Sequence, residues 1–155
     1  MNRSEAHAVA TDVFDLIRSD HESVREIFKR MEETSERAPK ARSTLLAELC
    51  DELLAHARAE QEVFYQALVE RVNDRALVLE AVEEHGVVER AVFDLEACPP
   101  EDERWLAKLT VLRELVEHHV EEEETEMFRL ARQVLSRDEA LELGGEMQER
   151  KDRSI

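Results

Sequence analysis

Apolar residues recur along this chain at intervals of three, four and seven, the period of helices that each bury one face. The first run reads Phe14, Ile17, Val24, Phe28 and Met31. Thr11 or Asp12 can cap it, and it fades near residues 35–39. The second starts around residues 40–44, carries Leu45, Leu49, Leu53, Val63, Phe64 and Ala67, and ends near Asn73. The third starts about Asp74 with Val78, Ala81, Val82, Val88, Val92 and Leu95. Cys98-Pro99-Pro100 stops it, because proline cannot continue the hydrogen-bond ladder. The fourth runs from about Glu101 to Leu135 on Trp105, Leu109, Leu112, Val116, Met127, Leu130 and Val134. A shorter segment, about 138–149, contains Gly144-Gly145 and reads as a tail helix or a frayed end. No run alternates in the manner of a strand. The pattern predicts an all-α, up-down antiparallel four-helix bundle with a short C-terminal helical tail. Residues 11–135 form the bundle in this reading, 1–10 a flexible N-terminus, and 136–155 the short helix or tail.

The apolar stripes are interrupted at matching places. His21 sits between Ile17 and Val24, and His85 between Val82 and Val88. The second and fourth stripes carry a histidine and, four residues on, a glutamate: His56 with Glu60, and His119 with Glu123. Residues four apart share a helix face, so each pair aims an imidazole and a carboxylate into one small volume. All four histidines lie near mid-helix, and a rise of about 1.5 Å per residue sets them within a turn or two of one height. The order His, then His-Glu, occurs in helices 1–2 and again in helices 3–4, a weak internal two-fold. One such pair alone is usually an exposed one. Two of them on buried stripes are costly unless the groups are paired or bind metal.

Neighbouring residues take blander readings. Stepping forward from His119 leads to Glu123, Met127 and Leu130, whereas His118 leads to the solvated Glu122 and Glu126. His119 is therefore placed inside, and His118 at the surface or against the outer side of a ligand. His7 falls in the N-terminal tail and is given no function. Glu52 could accept from His56 and Glu89 could add a ligand, but both read more readily as surface. Tyr65 and Phe128 each follow a motif histidine by nine residues and read as packing, with a Tyr65 hydroxyl near the site as the lesser alternative.

Imidazole suits Zn, Cu, Fe and Ni, and carboxylate shifts the preference toward Fe and Mn. Carboxylates that each span two ions are usual in di-iron bundles. Glu60 and Glu123 would be the bridges, with His21 and His56 on one ion and His85 and His119 on the other. That set leaves positions open for water, an oxo or hydroxo bridge, and a small diatomic or peroxide ligand.

Length and charge narrow the classes further. The chain has 155 residues, 38% of them charged, with a formal net charge of -17. One domain fits that length, and the acidic balance argues against nucleic acid and anionic membranes. No segment approaches the roughly 18 consecutive apolar residues of a spanning helix, and the N-terminus lacks the apolar core of a signal peptide. The expectation is a cytoplasmic protein, monomer or homodimer, with its redox partner unspecified. Cys50 and Cys98 make no metal-like spacing, and Cys50 reads as core packing.

At these residues the chain resembles the hemerythrin-like, or HHE cation-binding, domain family. The resemblance is carried by Asp20-His21, His56-Ala-Arg-Ala-Glu60-Gln-Glu-Val-Phe-Tyr65, Glu83-Glu84-His85 and His119-Val-Glu-Glu-Glu123-Glu-Thr-Glu-Met-Phe128, over about residues 11–135. It implies a four-helix bundle around two iron ions, a non-haem di-iron centre bridged by oxo or hydroxo. The chain departs from the oxygen carriers in helix 3, where Ala81 and Glu89 flank His85 and no second histidine stands one turn away. It also has Glu123 where carriers have aspartate, and Gln66 and Arg129 where proline often follows the aromatic. The resemblance thus points to the histidine-poor bacterial and iron-sensing branch. It implies a protein that binds or reacts with O2, peroxide or NO, with peroxide decomposition set beside passive binding or sensing. Two alternatives stand next to it: an iron-handling or iron-sensing module whose fold depends on metal, and a metal-free helical interaction bundle.

Overall fold

Asp12 opens the first helix, its carboxylate accepting from the backbone N–H of Asp15 at 2.8 Å, and α1 follows over Val13–Glu32. The computed structural model describes residues 11–153. The expectation of a flexible residues 1–10, His7 included, lies outside the described residues. α2 begins at Pro39, where a missing N–H costs nothing in the first turn. It runs through Pro39–Ala59, a π-helical Glu60–Tyr65 and Gln66–Arg71 without a break. α3 spans Ala76–Glu96. α4 runs through Arg104–Glu122, a π-helical Glu123–Met127 and Phe128–Val134. α5 spans Arg137–Arg153. No strand occurs among the described residues. No helix among them is long and apolar enough to cross a membrane.

The apolar stripes build two core layers with a polar layer between. One layer gathers Phe14 and Ile17 with Phe64, Leu68, Val78, Phe128 and Ala131. Its three phenylalanines meet edge to face, with centroids 5.0 to 6.1 Å apart. The other gathers Phe28, Met31, Leu49, Leu95, Trp105, Leu109 and Leu112. Each fully buried side chain of this size contributes about 1.5–3 kcal/mol. On α1, α2 and α3 the two layers leave a gap in which His21, His56 and His85 fall; on α4 the gap between Val120 and Met127 holds Glu123, with His119 at its edge. Arg42, fully buried, closes the second layer by donating to Thr34 Oγ1 and to the Pro100 carbonyl and by stacking over Trp105. Cys50 and Cys98 are buried free thiols in this layer.

The fifth segment is longer and better anchored than its sequence suggests. Ser136 and Glu139 form a reciprocal cap: Glu139 N–H donates to Ser136 Oγ, and Ser136 N–H to Glu139 Oε1. The helix then buries Ala140, Leu143, Gly144 and Met147 against α1 and α2. A Cβ at Gly144 would lie 2.2 Å from the Thr11 carbonyl oxygen and 2.8 Å from Asp12 C, so the start of α1 crosses α5 at this residue. Gly145 has nothing within 4 Å of an added Cβ. Gly144→Ala should therefore destabilise by about 1–3 kcal/mol through overpacking, whereas Gly145→Ala should stabilise by about 0.5–1 kcal/mol. Denaturant unfolding of the two variants checks both signs, and equal effects would contradict the close crossing.

Candidate metal centre

The polar layer brings His21, His56, Glu60, His85, His119 and Glu123 together, every one buried. Their inward atoms converge. Glu60 Oε1 lies 3.3 Å from His56 Nε2 and 3.2 Å from His85 Nε2. Glu123 Oε1 lies 3.1 Å from His21 Nε2, and its Oε2 is 3.9 Å from His119 Nε2. The Nε2 atoms of His85 and His119 are 3.0 Å apart. Two sets of donors come within 4.8 Å of one another: His21, His56, Glu60 and Glu123, and separately Glu60, His85 and His119. Both carboxylates thus reach histidines of both helix pairs, as groups shared by two cations would.

The outer nitrogen of every ring is held. His56 Nδ1 pairs with Asp20 Oδ2 at 2.7 Å, and His119 Nδ1 with Glu84 Oε1 at 2.7 Å. His21 Nδ1 pairs with Glu124 Oε2 at 2.6 Å, and His85 Nδ1 with the Gln61 side-chain amide at 2.8 Å. Rotating that amide by half a turn offers its oxygen to an Nδ1–H. Partners of this kind fix the tautomer that leaves Nε2 free for a metal. The weak two-fold extends to them. The residue before the lone histidine of each half, Asp20 or Glu84, holds the His-Glu histidine of its own half. The residue after each motif glutamate, Gln61 or Glu124, holds the lone histidine of the other half.

The sequence reading missed these partners in part. The partner of His56 is not Glu52, one turn along the same helix, but Asp20 of α1. Aligning the two halves on their histidines would have exposed the pairs. His118 is exposed and lies against Glu122 and Glu84. Glu89 is also exposed and belongs to neither donor set.

Tyr65 corrects its packing assignment. In an α-helix of about 100° per residue, a residue nine after His56 points to the opposite side. The π-helical stretch begins at Glu60 and bonds i to i+5, which carries Tyr65 back under Glu60. Its hydroxyl donates to Glu123 Oε2 and lies 3.3 Å from His119 Nε2 and 3.5 Å from His85 Nε2. The counterpart Phe128, after the second π-helical stretch, brings no polar atom, so the two halves differ here.

The donor atoms fit a cation. The buried side-chain polar atoms without a hydrogen-bond partner among the described residues are His21 Nε2, His56 Nε2, both oxygens of Glu60, Glu123 Oε1 and, elsewhere, Trp105 Nε1. Five of these six belong to the inward set, where unsatisfied groups are expensive. Without a cation, protons do the compensating. Burial opposes charge on His56, but Glu60 and Asp20 outweigh it and raise the imidazole to about 10. His21 is raised likewise, its burial outweighed by Glu123. Burial, together with Glu60 alongside, pushes Glu123 up to about 7. Burial opposes charge on Glu60, but His56, with hydrogen bonds from Glu123 and His85, outweighs it and holds the carboxyl well below the carboxylate range. Burial lowers His85.

A cation from outside the four long helices completes the surround. Lys151 of α5 donates to Asp20 Oδ1, and the Lys151 and His56 charges hold the buried Asp20 below its ordinary range against the opposing effect of burial. Lys151→Met should loosen Asp20 and, through it, the His56 ring. Metal affinity should fall about tenfold or more in a competitive chelator titration, with helicity unchanged. An unaltered affinity would make Lys151 a docking contact of α5 only.

Residues 12–131 match the family profile described as Hemerythrin HHE cation binding domain. The chain is 26% identical over 128 residues to a protein named DNA nickase from Nostoc sp.. That match covers 83% of this chain and 36% of the relative, so the chain spans little more than a third of the relative's length. The crystal structure of a hemerythrin HHE cation binding domain-containing protein from Mycobacterium kansasii matches with a TM-score of 0.83 at 23% identity. It covers 93% of this chain and 87% of that one, a likeness of fold.

Proposed function

Because this chain belongs to the hemerythrin HHE cation-binding domain family, we propose that its polar layer holds two iron ions and that the loaded protein binds or reacts with O2, peroxide or NO. The observation that carries this reading is the convergence of four Nε2 atoms on two buried carboxylates, with every Nδ1 held from outside. His21 and His56 would serve one ion, His85 and His119 the other, and Glu60 and Glu123 both. When bound, the ions would supply electrons and open positions for an oxygen-containing ligand.

The remaining work falls to the chain. Asp20, Glu84, Glu124 and Gln61 orient the rings. The apolar layers above and below keep water from the carboxylates. Tyr65 reaches from α2 to the His85, His119 and Glu123 side of the site, and burial with Glu123 and Glu60 nearby holds its proton on well above the ordinary phenol range. It is placed to donate a hydrogen bond to a small ligand beside His85 and His119, or to give a further oxygen donor. The activity in the name of the Nostoc relative is not carried over, since a chain of net charge -17 offers little to a phosphate backbone.

Elemental analysis and visible spectroscopy after anaerobic ferrous loading and exposure to air test the reading. About two irons per chain, with near-ultraviolet charge-transfer bands, is the expected result. Zinc alone, or no bound metal, would overturn it.

A further inference from the structure

A cleft of about 380 Å³ opens between α2 and α3 and ends on the rings of His21, His56, His85 and His119. A diatomic or hydrogen peroxide needs far less room; this volume lies in the range of organic ligand sites, about 300–1,000 Å³. The walls are apolar, formed by Leu53, Leu54, Val82, Val88, Val92 and Val116. Away from the histidines the charges that line it are Arg58 with Glu62 and Glu89, so the walls add no cationic surplus to draw in a carboxylate or phosphate. The overall charge of -17 also repels anions.

The residue after His85 is the second observation. Gly86 lies in the middle of α3 and lines the cleft. Mid-helix glycine costs about 0.5–1 kcal/mol relative to alanine. No close approach requires it here: an added Cβ would meet only the flexible end of Arg90, at 3.6 Å. The contrast with Gly144, wedged against the α1 backbone, is direct. What the missing side chain provides at position 86 is open space beside the histidine ring.

We propose that this cleft is the binding site of a small uncharged apolar organic molecule, its tail among the valines and leucines and a single oxygen-bearing head at the imidazoles. Resting on the function proposed above, this names the substrate class as alkyl or aryl hydroperoxides. Their reduction would break the O–O bond and yield the alcohol and water. Two electrons and two protons would come from two molecules of a small thiol, which leave joined as the disulfide.

The test uses the purified full chain with its metal content measured, and cumyl alcohol as an unreactive probe of the binding step. Methyl NMR and calorimetry should show saturable one-to-one binding, with shifts at the Val82, Val88 and Val116 methyls. Gly86→Leu should weaken it about tenfold or more by filling the cleft, at unchanged metal content, and Gly86→Ala should bind while being the more stable protein. Cumene hydroperoxide should then be consumed in the presence of thiol, with loss of that activity in Gly86→Leu. Absence of saturable binding, or binding indifferent to Gly86→Leu with no shift at those methyls, would overturn the cleft assignment even where two irons are bound. Cumyl alcohol binding with no iron uptake would keep the cleft and sink the di-iron reading. Binding together with iron but without hydroperoxide turnover would overturn the substrate class.

Discussion

Glu60→Ala is expected to empty the site. Glu60 Oε1 is within 3.3 Å of His56 Nε2 and 3.2 Å of His85 Nε2, so its loss removes a donor from both halves at once. Removal of a partner that merely orients a ligand typically costs 10–100-fold in affinity, and loss of a shared carboxylate should exceed about 100-fold. Bound metal should fall far below the wild-type content. The fold should survive, because the apolar layers on either side of the polar one do not include Glu60. Glu60→Gln separates shape from charge: it keeps the volume but offers a neutral oxygen, and it too should lose metal. Glu89→Ala, an exposed neighbour, should retain the wild-type content. A Glu60→Ala protein with a full metal complement would refute the shared-carboxylate reading.

The second large effect is the pH dependence of the metal-free protein. His56 is raised from 6.5 to about 10, so its stabilising contribution is complete below about pH 6.5 and disappears as pH climbs toward 10. Glu123 is raised from 4.5 to about 7; its folded form holds a proton that the unfolded chain has released, so stability declines between those values. Asp20 and Glu60 act oppositely. Both are lowered, so their contribution is present above the ordinary carboxylate range and lost as pH falls through their folded values. The apo-protein should be most stable near pH 4.5 and decline above it, first through Glu123 and then through His56. By pH 10 it should lose a few kcal/mol, because each tenfold change in proton affinity on folding is worth about 1.4 kcal/mol. Metal binding displaces those protons, so the loaded protein should resist the alkaline decline and release protons on loading. Denaturant unfolding of both forms from pH 4 to 10 checks this, and parallel profiles would refute it. The same experiment addresses the metal-dependent fold: helicity that survives chelation at pH 6 argues against a switch by unfolding.

The fold was legible because helix burial is periodic. Ile17, Leu49, Leu95 and Leu109, picked from spacing alone, are all fully buried. The fifth helix was less legible, because Gly144-Gly145 weakens the helical pattern while the Ser136 and Glu139 cap that starts it is a short local signal. Gly144 is a packing requirement there, one that only the path of α1 across α5 reveals.

The six inward residues could be found from sequence because each interrupts an apolar stripe, and an ionisable group on a buried face has few reasons to be there. Sequence also set their heights, since a helix converts residue number into distance. It could not set what crosses between helices. Asp20 on His56, Gln61 on His85, Glu84 on His119 and Lys151 on Asp20 are contacts between separate segments, and no intrahelical period encodes them. Tyr65 needed the π-helical turn, which breaks the 3.6-residue period that assigned it to packing. The cleft needed the separation of α2 from α3. Local periodicity therefore determined which residues face inward, and the tertiary structure alone decided which of them touch, because contact depends on how the helices are placed against one another.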